Sequence, residues 1–110
     1  MEAQDTGYES KTFESFGRQV VMQTLEAELS IQGAGIVSIR FPFQSQFTQQ
    51  NGYIHAGIVA TILDSACGYA AFTLMPQGAD VLTVEFKVNL LRPAKGDNFV
   101  GKATVVNLIP

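Results

Sequence analysis

Residues 55–75 read HAGIVATILDSACGYAAFTLM, and Pro76 ends the run. A stretch this long, apolar and free of proline reads as one buried helix stopped by the proline that follows. One residue in it is out of character. Across residues 41–79, which number 39, Asp64 is the single formally charged side chain. A carboxylate among apolar neighbours is costly unless it is paired or hydrogen-bonded. On a helix of about 100° per residue, the face of Asp64 carries Gly57, Ala60, Thr61, Cys67, Gly68 and Ala71, all small. The bulky Ile58, Val59, Ile62, Leu63, Tyr69 and Leu74 lie mostly round the other side. One face is therefore fitted to pack on a sheet. The other lets a chain, a partner helix or a substrate come close to the carboxylate. The competing structural reading has Asp64 capping a loop or pairing with Arg40, Lys87 or Arg92, since structural ion pairs also perturb carboxylates. The stripe of small residues favours a site.

Outward from this helix the apolar period changes to two. Leu82, Val84, Phe86, Val88 and Leu90 alternate with Thr83, Glu85, Lys87 and Asn89, the clearest strand signal in the chain. Residues 92–97 form a loop, and residues 99–106 a further strand. Before the helix, Leu25, Ala27, Leu29 and Ile31 alternate with Glu26, Glu28 and Ser30; Gln32-Gly33-Ala34-Gly35 turns; and Val37, Ile39 and Phe41 alternate with Ser38 and Arg40. These two strands make a hairpin closed by Pro42, followed by a glutamine-rich loop over residues 43–52. Phe13, Phe16, Val20 and Val21 recur at helical spacing and predict a short helix over residues 12–23. The order is helix, two strands, long helix, two strands, an α+β domain in which an antiparallel sheet wraps a helix. Residues 1–11 read as a flexible lead-in and residues 12–110 as a single domain.

Composition narrows the classes of function. A chain of 110 residues with 46% hydrophobic residues suits one small domain, which buries a limited share of its surface alone, so assembly with further copies is expected. A charged fraction of 15% points to surface covered by a partner. The net charge of −3, with scattered basic residues, is no nucleic-acid footprint. One cysteine excludes an internal disulfide, and one cysteine with one histidine argues against a structural zinc site, so no metal is expected. Residues 1–11 lack the basic start and apolar core of a signal peptide, which suggests a cytoplasmic protein. Residues 57–75 approach membrane-spanning length. However, an aspartate at a membrane-helix centre costs roughly 2.5–3.5 kcal/mol, basic flanks are missing, and amphipathic strands lie on both sides. No membrane partner is expected.

His55 begins the long helix and Gly57 lies in its first turn. Backbone N–H groups there lack intrahelical partners and carry the positive end of the helix dipole, so they suit a carbonyl oxygen that is becoming negative. The plainer readings are a capping or structurally satisfied histidine and a glycine that permits close packing. Cys67 has no second histidine to activate it and reads as a small core residue.

At these residues the chain resembles the PaaI-type hotdog acyl-CoA thioesterases. The family pattern is a loop ending in Gly-x-x-His-Gly-Gly, a helix carrying an Asp, then a strand and a Pro-Ala loop. Here it reads QQNGYIHAGIVATILDSACGYAA over residues 49–71 and VLTVEFKVNLLRPAKG over residues 81–96. The resemblance implies a hotdog fold, with a curved antiparallel sheet around a long central helix. It also implies a homodimer, or dimer of dimers, whose sheets join through residues 80–91, and an active site at the dimer interface that hydrolyses acyl-CoA. Carried over, Asp64 is general base or nucleophile and the Gly57 N–H contributes to the oxyanion hole. His55 matches the motif histidine and supports the loop. Gln49, six residues before it, matches a family Asn or Gln, and Thr83 matches a position where some members carry a Ser that orients water or the Asp. No cofactor or metal is implied.

The second motif glycine is Ala56 here, as in members that share the QQ…HAG pattern. Family members continue with two strands beyond the region of Val106, so the hotdog sheet is expected to lack its last two strands or to fill their place by another pairing. Thioester hydrolysis needs an activated water or carboxylate nucleophile and donors for the oxyanion, and these residues supply both. Arg92 and Lys95 could meet coenzyme A phosphates, or could simply be solvated loop residues. Two other functions compete: an acyl-CoA dehydratase or hydratase of the hotdog class using His55 with Asp64, and a non-catalytic acyl-CoA-binding domain.

Overall fold

The computed structural model describes residues 1–83 and 85–107. Strands β1 (Glu28–Gly33), β2 (Ile36–Pro42) and β3 (Asn98–Thr104) form an antiparallel sheet in the order β1-β2-β3. Helices α1 (Tyr8–Gly17) and α2 (Val20–Thr24) precede it, and the long helix α3 (Ala56–Phe72) lies between β2 and β3 in sequence. The architecture is α+β, as the periodicities predict.

Strand β2 is central. Its Val37, Ile39 and Phe41 are buried on one face while Arg40 is exposed on the other. On the outer face Arg40 pairs with Glu28 at 2.9 Å and donates to Asn98 at 3.2 Å. The inner face of β3 is Phe99, Gly101 and Ala103, two of them small, and α3 packs against it. A Cβ on Gly101 would stand 2.9 Å from Ile62 Cγ2, so glycine sets how closely helix and strand approach. Phe41 and Phe99 stack at 5.2 Å. Ile62, Ala66, Tyr69 and Ala70 supply the helix side of the core, and Met22 and Leu25 close its end.

The hairpin turns through Ala34-Gly35, with Gly35 at φ 84, a left-handed conformation that glycine adopts without a Cβ penalty. Fully buried Thr73 ties this turn to the end of α3. Its Oγ1 accepts from the Gly35 N–H at 2.7 Å and donates to the Ala70 carbonyl at 2.7 Å.

Three sequence expectations are corrected. The helix expected over residues 12–23 is two helices: α1 begins at Tyr8, and the chain is extended at Gln19 before α2 starts. The apolar residues that suggested it are misleading, because Phe13, Val20 and Val21 are exposed while Thr12 and Met22 are buried. Residues 82–90 form no ladder among the described residues, and Val84 lies outside them. Alternation shows that a segment suits a pleated surface, but only a neighbouring strand makes it a strand. Here the described residues of the segment are unpaired, with Leu82 at 89% and Leu90 at 60% exposure. Finally, Cys67 is exposed, not in the core. It belongs to the small-residue face of α3, which the sheet does not cover.

Candidate active site

The site is built on α3 and the segments flanking it. His55 is the N-cap residue, with φ −59 and ψ 135, and its Nδ1 accepts the Gly57 N–H at 2.8 Å. The Ile58 and Val59 N–H groups donate to the His55 carbonyl at 2.9 and 3.3 Å. The donor expected for an oxyanion, the Gly57 N–H, is therefore already engaged. The Ala56 N–H has no hydrogen-bond partner among the described residues and is the open donor at this terminus. Counting which first-turn N–H a capping histidine consumes would have found it.

Gln49 shapes the loop that delivers the helix. Its N–H donates to the Tyr53 carbonyl at 2.8 Å, and its Oε1 accepts the N–H groups of Asn51 and Tyr53. Single bridges Thr48↔Ile54 and Ile54↔Ala94 then fasten the loop to the Pro-Ala segment.

Asp64 is half-buried, two turns further along α3. Its Oδ1 accepts the Thr83 hydroxyl at 2.6 Å. It has no ion-pair partner among the described residues, and Arg40, one candidate for that role, is committed to Glu28. Burial first, and the Asp64 carboxylate second, push the Cys67 thiol above its ordinary value.

Two cavities divide the expected residues. One, of about 570 Å³, has Asp64 and Thr83 in its wall with Gln19, Ser65, Tyr69 and Asp80. The other, of about 530 Å³, is lined by Gln49, Ala56, Val59, Leu90 and Arg92. Residues 80–83 border the first and residues 90–94 the second. His55, Gly57 and Lys95 border neither. Among the described residues, no three His, Cys, Asp or Glu side chains gather to hold a metal.

A family model described as the thioesterase superfamily matches residues 51–108, which takes in α3, both cavities' flanking segments and β3. The chain belongs to the thioesterase superfamily. A thioesterase family protein from Silicibacter pomeroyi superposes with a TM-score of 0.89 at 55% identity, over 91% of this chain and 74% of its own. The E. coli PaaI protein from the phenylacetic acid degradation operon superposes at 0.83 with 17% identity, over 96% of this chain and 75% of its own, a likeness of fold. A candidate esterase from Halobacterium salinarum is 35% identical over 79 residues, 67% of this chain and 52% of its own length. The chain spans about half the length of the curated relatives it matches. The sheet laid on a long helix is thus the hotdog arrangement of PaaI-type thioesterases. No helix of the described residues is long and apolar enough to cross a membrane.

Proposed function

We propose that the protein hydrolyses an acyl-CoA thioester to free acid and coenzyme A, with Asp64 as general base or nucleophile. The observation that carries this reading is Asp64 itself. It borders a cavity, has no counter-ion among the described residues, and is fixed by one hydrogen bond from Thr83. Thr83 occupies Oδ1, which leaves Oδ2 to meet a water or the substrate carbonyl. The Ala56 N–H, at the positive end of α3, receives the developing oxyanion. His55 serves by capping the terminus that presents it. Arg92, which lines the same cavity as Ala56, would meet a coenzyme A phosphate, and Lys95 lies three residues further along the same loop. A cytoplasmic location, where acyl-CoA is available, is part of the proposal.

Asp64 and Ala56 of one chain cannot act on one carbonyl. Eight residues of helix separate them by about 12 Å along the axis. A reacting carbonyl needs its nucleophile within about 3.5 Å and its donors within about 3.1 Å. A two-fold pairing would set the start of one α3 beside the middle of the other. The site is then completed between two copies, in a homodimer or a dimer of dimers.

The dehydratase or hydratase reading needs His55 and Asp64 as an acid–base pair. Between two copies they could face each other, but the imidazole Nδ1 is occupied by the cap. A thiol-release screen over acyl-CoAs tests the proposal. Free thiol supports it, an enoyl product supports the hydratase, and binding without turnover supports an acyl-CoA-binding domain. Asp64→Asn keeps shape and hydrogen-bonding ability but removes the basic oxygen. Turnover should fall by about 10²–10⁴ while the protein stays folded. Wild-type turnover in folded Asp64→Asn protein would remove the catalytic assignment.

A further inference from the structure

Helix α1 is fastened to the rest of the molecule largely by polar groups. Thr12 is its one fully buried residue, and the Thr12 hydroxyl donates to the Tyr8 carbonyl of the same helix at 2.6 Å, so that bond ties α1 to nothing else. Phe13 faces outward at 46% exposure. Phe16 brings a ring inward, edge-on to Tyr69 at a centroid distance of 5.8 Å. Two polar side chains hold the helix down. Lys11 Nζ donates to the Met75 carbonyl, just past α3, at 2.9 Å and stands 4.6 Å from the centre of the Phe72 ring. Ser15 Oγ lies 3.2 Å from the Tyr69 hydroxyl. Bonds of this kind are exchanged for bonds to water at small net cost, and elements held by them open well below the cost of global unfolding.

The end of α1 is built differently. The helix stops at Gly17, where a Cβ would meet nothing within 4 Å, and the chain is extended at Gln19 before α2 begins. Gln19 itself is pinned. Its Oε1 accepts the Ser65 hydroxyl at 3.0 Å, and its Nε2 donates to the Tyr69 hydroxyl at 3.1 Å. Just beyond it, Met22 and Leu25 are each 1% exposed. A lightly latched helix thus joins a fixed point through the break at Arg18 and Gln19. Ser15, Arg18 and Gln19, from α1 and this break, line the Asp64 cavity together with Ser65, Gly68 and Tyr69 of α3.

Resting on the hydrolase reading above for what passes through the cavity, we propose that α1 is a hinged lid on it. The helix swings as a unit about Arg18 and Gln19, with Lys11 and Ser15 as its latches, while α2, α3 and the sheet stay folded. The structure shows the lid closed. Opening widens the entrance of the cavity, and closing returns Ser15 to its wall around whatever is bound.

The test reads this motion without any thioester. In a Cys67→Ala background, Gly68→Cys puts a thiol in the cavity wall, where a Cβ meets only Val81 Cγ1 at 3.9 Å. Its modification is timed on the full chain with a small reagent, methyl methanethiosulfonate, and a bulky one, fluorescein maleimide. Backbone hydrogen exchange is followed alongside. Lys11→Met keeps an apolar stem over Phe72 and removes the bond to Met75. Losing one hydrogen bond should raise both the bulky reagent's rate and the exchange of α1 amides by about fivefold. The small reagent's rate and the exchange of α3 and β2 should barely change. Ser15→Ala, at the other latch, should act in the same direction. If α1 exchanges only together with α3 and β2, the chain opens as a whole and the lid is refuted. Faster α1 exchange with no gain for the bulky reagent would also refute it, because α1 would then open without covering the cavity. Thiol release from acyl-CoAs is a separate readout. Its absence would refute the hydrolase reading and leave the lid standing, whereas turnover with labelling and exchange unchanged in both variants would do the reverse.

Discussion

Asp64 and Cys67 stand one turn apart on the uncovered face of α3, and their proximity is measurable in the thiol. Cys67 is exposed as a residue, but partial desolvation of its sulfur and, second, the carboxylate hold the thiol proton on, which places its titration above the ordinary value. The thiolate is the reactive form, so near neutral pH this thiol should alkylate more slowly than a peptide cysteine. Its rate should climb only at higher pH. Asp64→Asn removes the repulsive charge and leaves the burial, so the midpoint of the iodoacetamide rate against pH should fall part of the way. An unmoved midpoint would show that the two groups do not interact. Glu26 offers a second residue-level test. It is the one non-glycine residue at positive φ among those described, at 53, just after α2. The Ala27 N–H bonds the Met22 carbonyl at 2.9 Å and the Glu26 N–H bonds that of Gln23 at 3.0 Å, a Schellman closure that prefers glycine at this position. Glu26→Gly relieves the left-handed strain and adds freedom to the unfolded chain. The net should be a gain of about 0.5–1 kcal/mol, read as a higher melting temperature.

Among the elements, those with both a pattern and a partner were legible in the sequence. β2 alternates in sequence and is buried on one face because β1 and β3 flank it and α3 covers it. α3 was legible from its apolar length and from Pro76. The first helix was not, because Phe13, Val20 and Val21 share a helical period with Phe16 but lie exposed on either side of a break. The site divides in the same way. Asp64 was legible as a charge in an apolar run, and Thr83 lies within hydrogen-bond reach of it. The open Ala56 N–H was not, since it depends on which way an imidazole turns. Gly101 belongs to this scale too, because no sequence pattern marks it. With Ile62 at 1% exposure and Cγ2 only 2.9 Å from a would-be Cβ, Gly101→Ala must push α3 off β3. The cost should be about 1–3 kcal/mol in urea or thermal unfolding. An unchanged midpoint would mean that the helix shifts freely on the sheet.

The whole molecule is less compact than its length requires. Its radius of gyration is 14.4 Å, where a compact chain of this length would have about 13 Å. Leu82, Phe86, Leu90 and Leu91 are all exposed in the segment between α3 and β3. Burying side chains of this size is worth about 1.5–3 kcal/mol each, so a second copy placed there by a two-fold axis would gain substantially. Sedimentation at micromolar concentration should show a dimer or larger assembly. The catalytic consequence can be tested separately. Ala56→Pro deletes the open N–H at the first helical position, where proline is tolerated, and His55, at φ −59 and ψ 135, already has the conformation that a following proline demands. Asp64→Asn and Ala56→Pro should each be nearly inactive alone. If one copy supplies the carboxylate and the other the donor, mixed dimers contain one site with both lesions and one with neither. Unfolding and refolding the two variants together should then restore about a quarter of wild-type turnover, since half the dimers are mixed and half their sites are intact. A mixture no more active than its components would show that each site draws on a single chain. The separation of Ala56 from Asp64 along α3 would then have to be closed by a rearrangement of the helix.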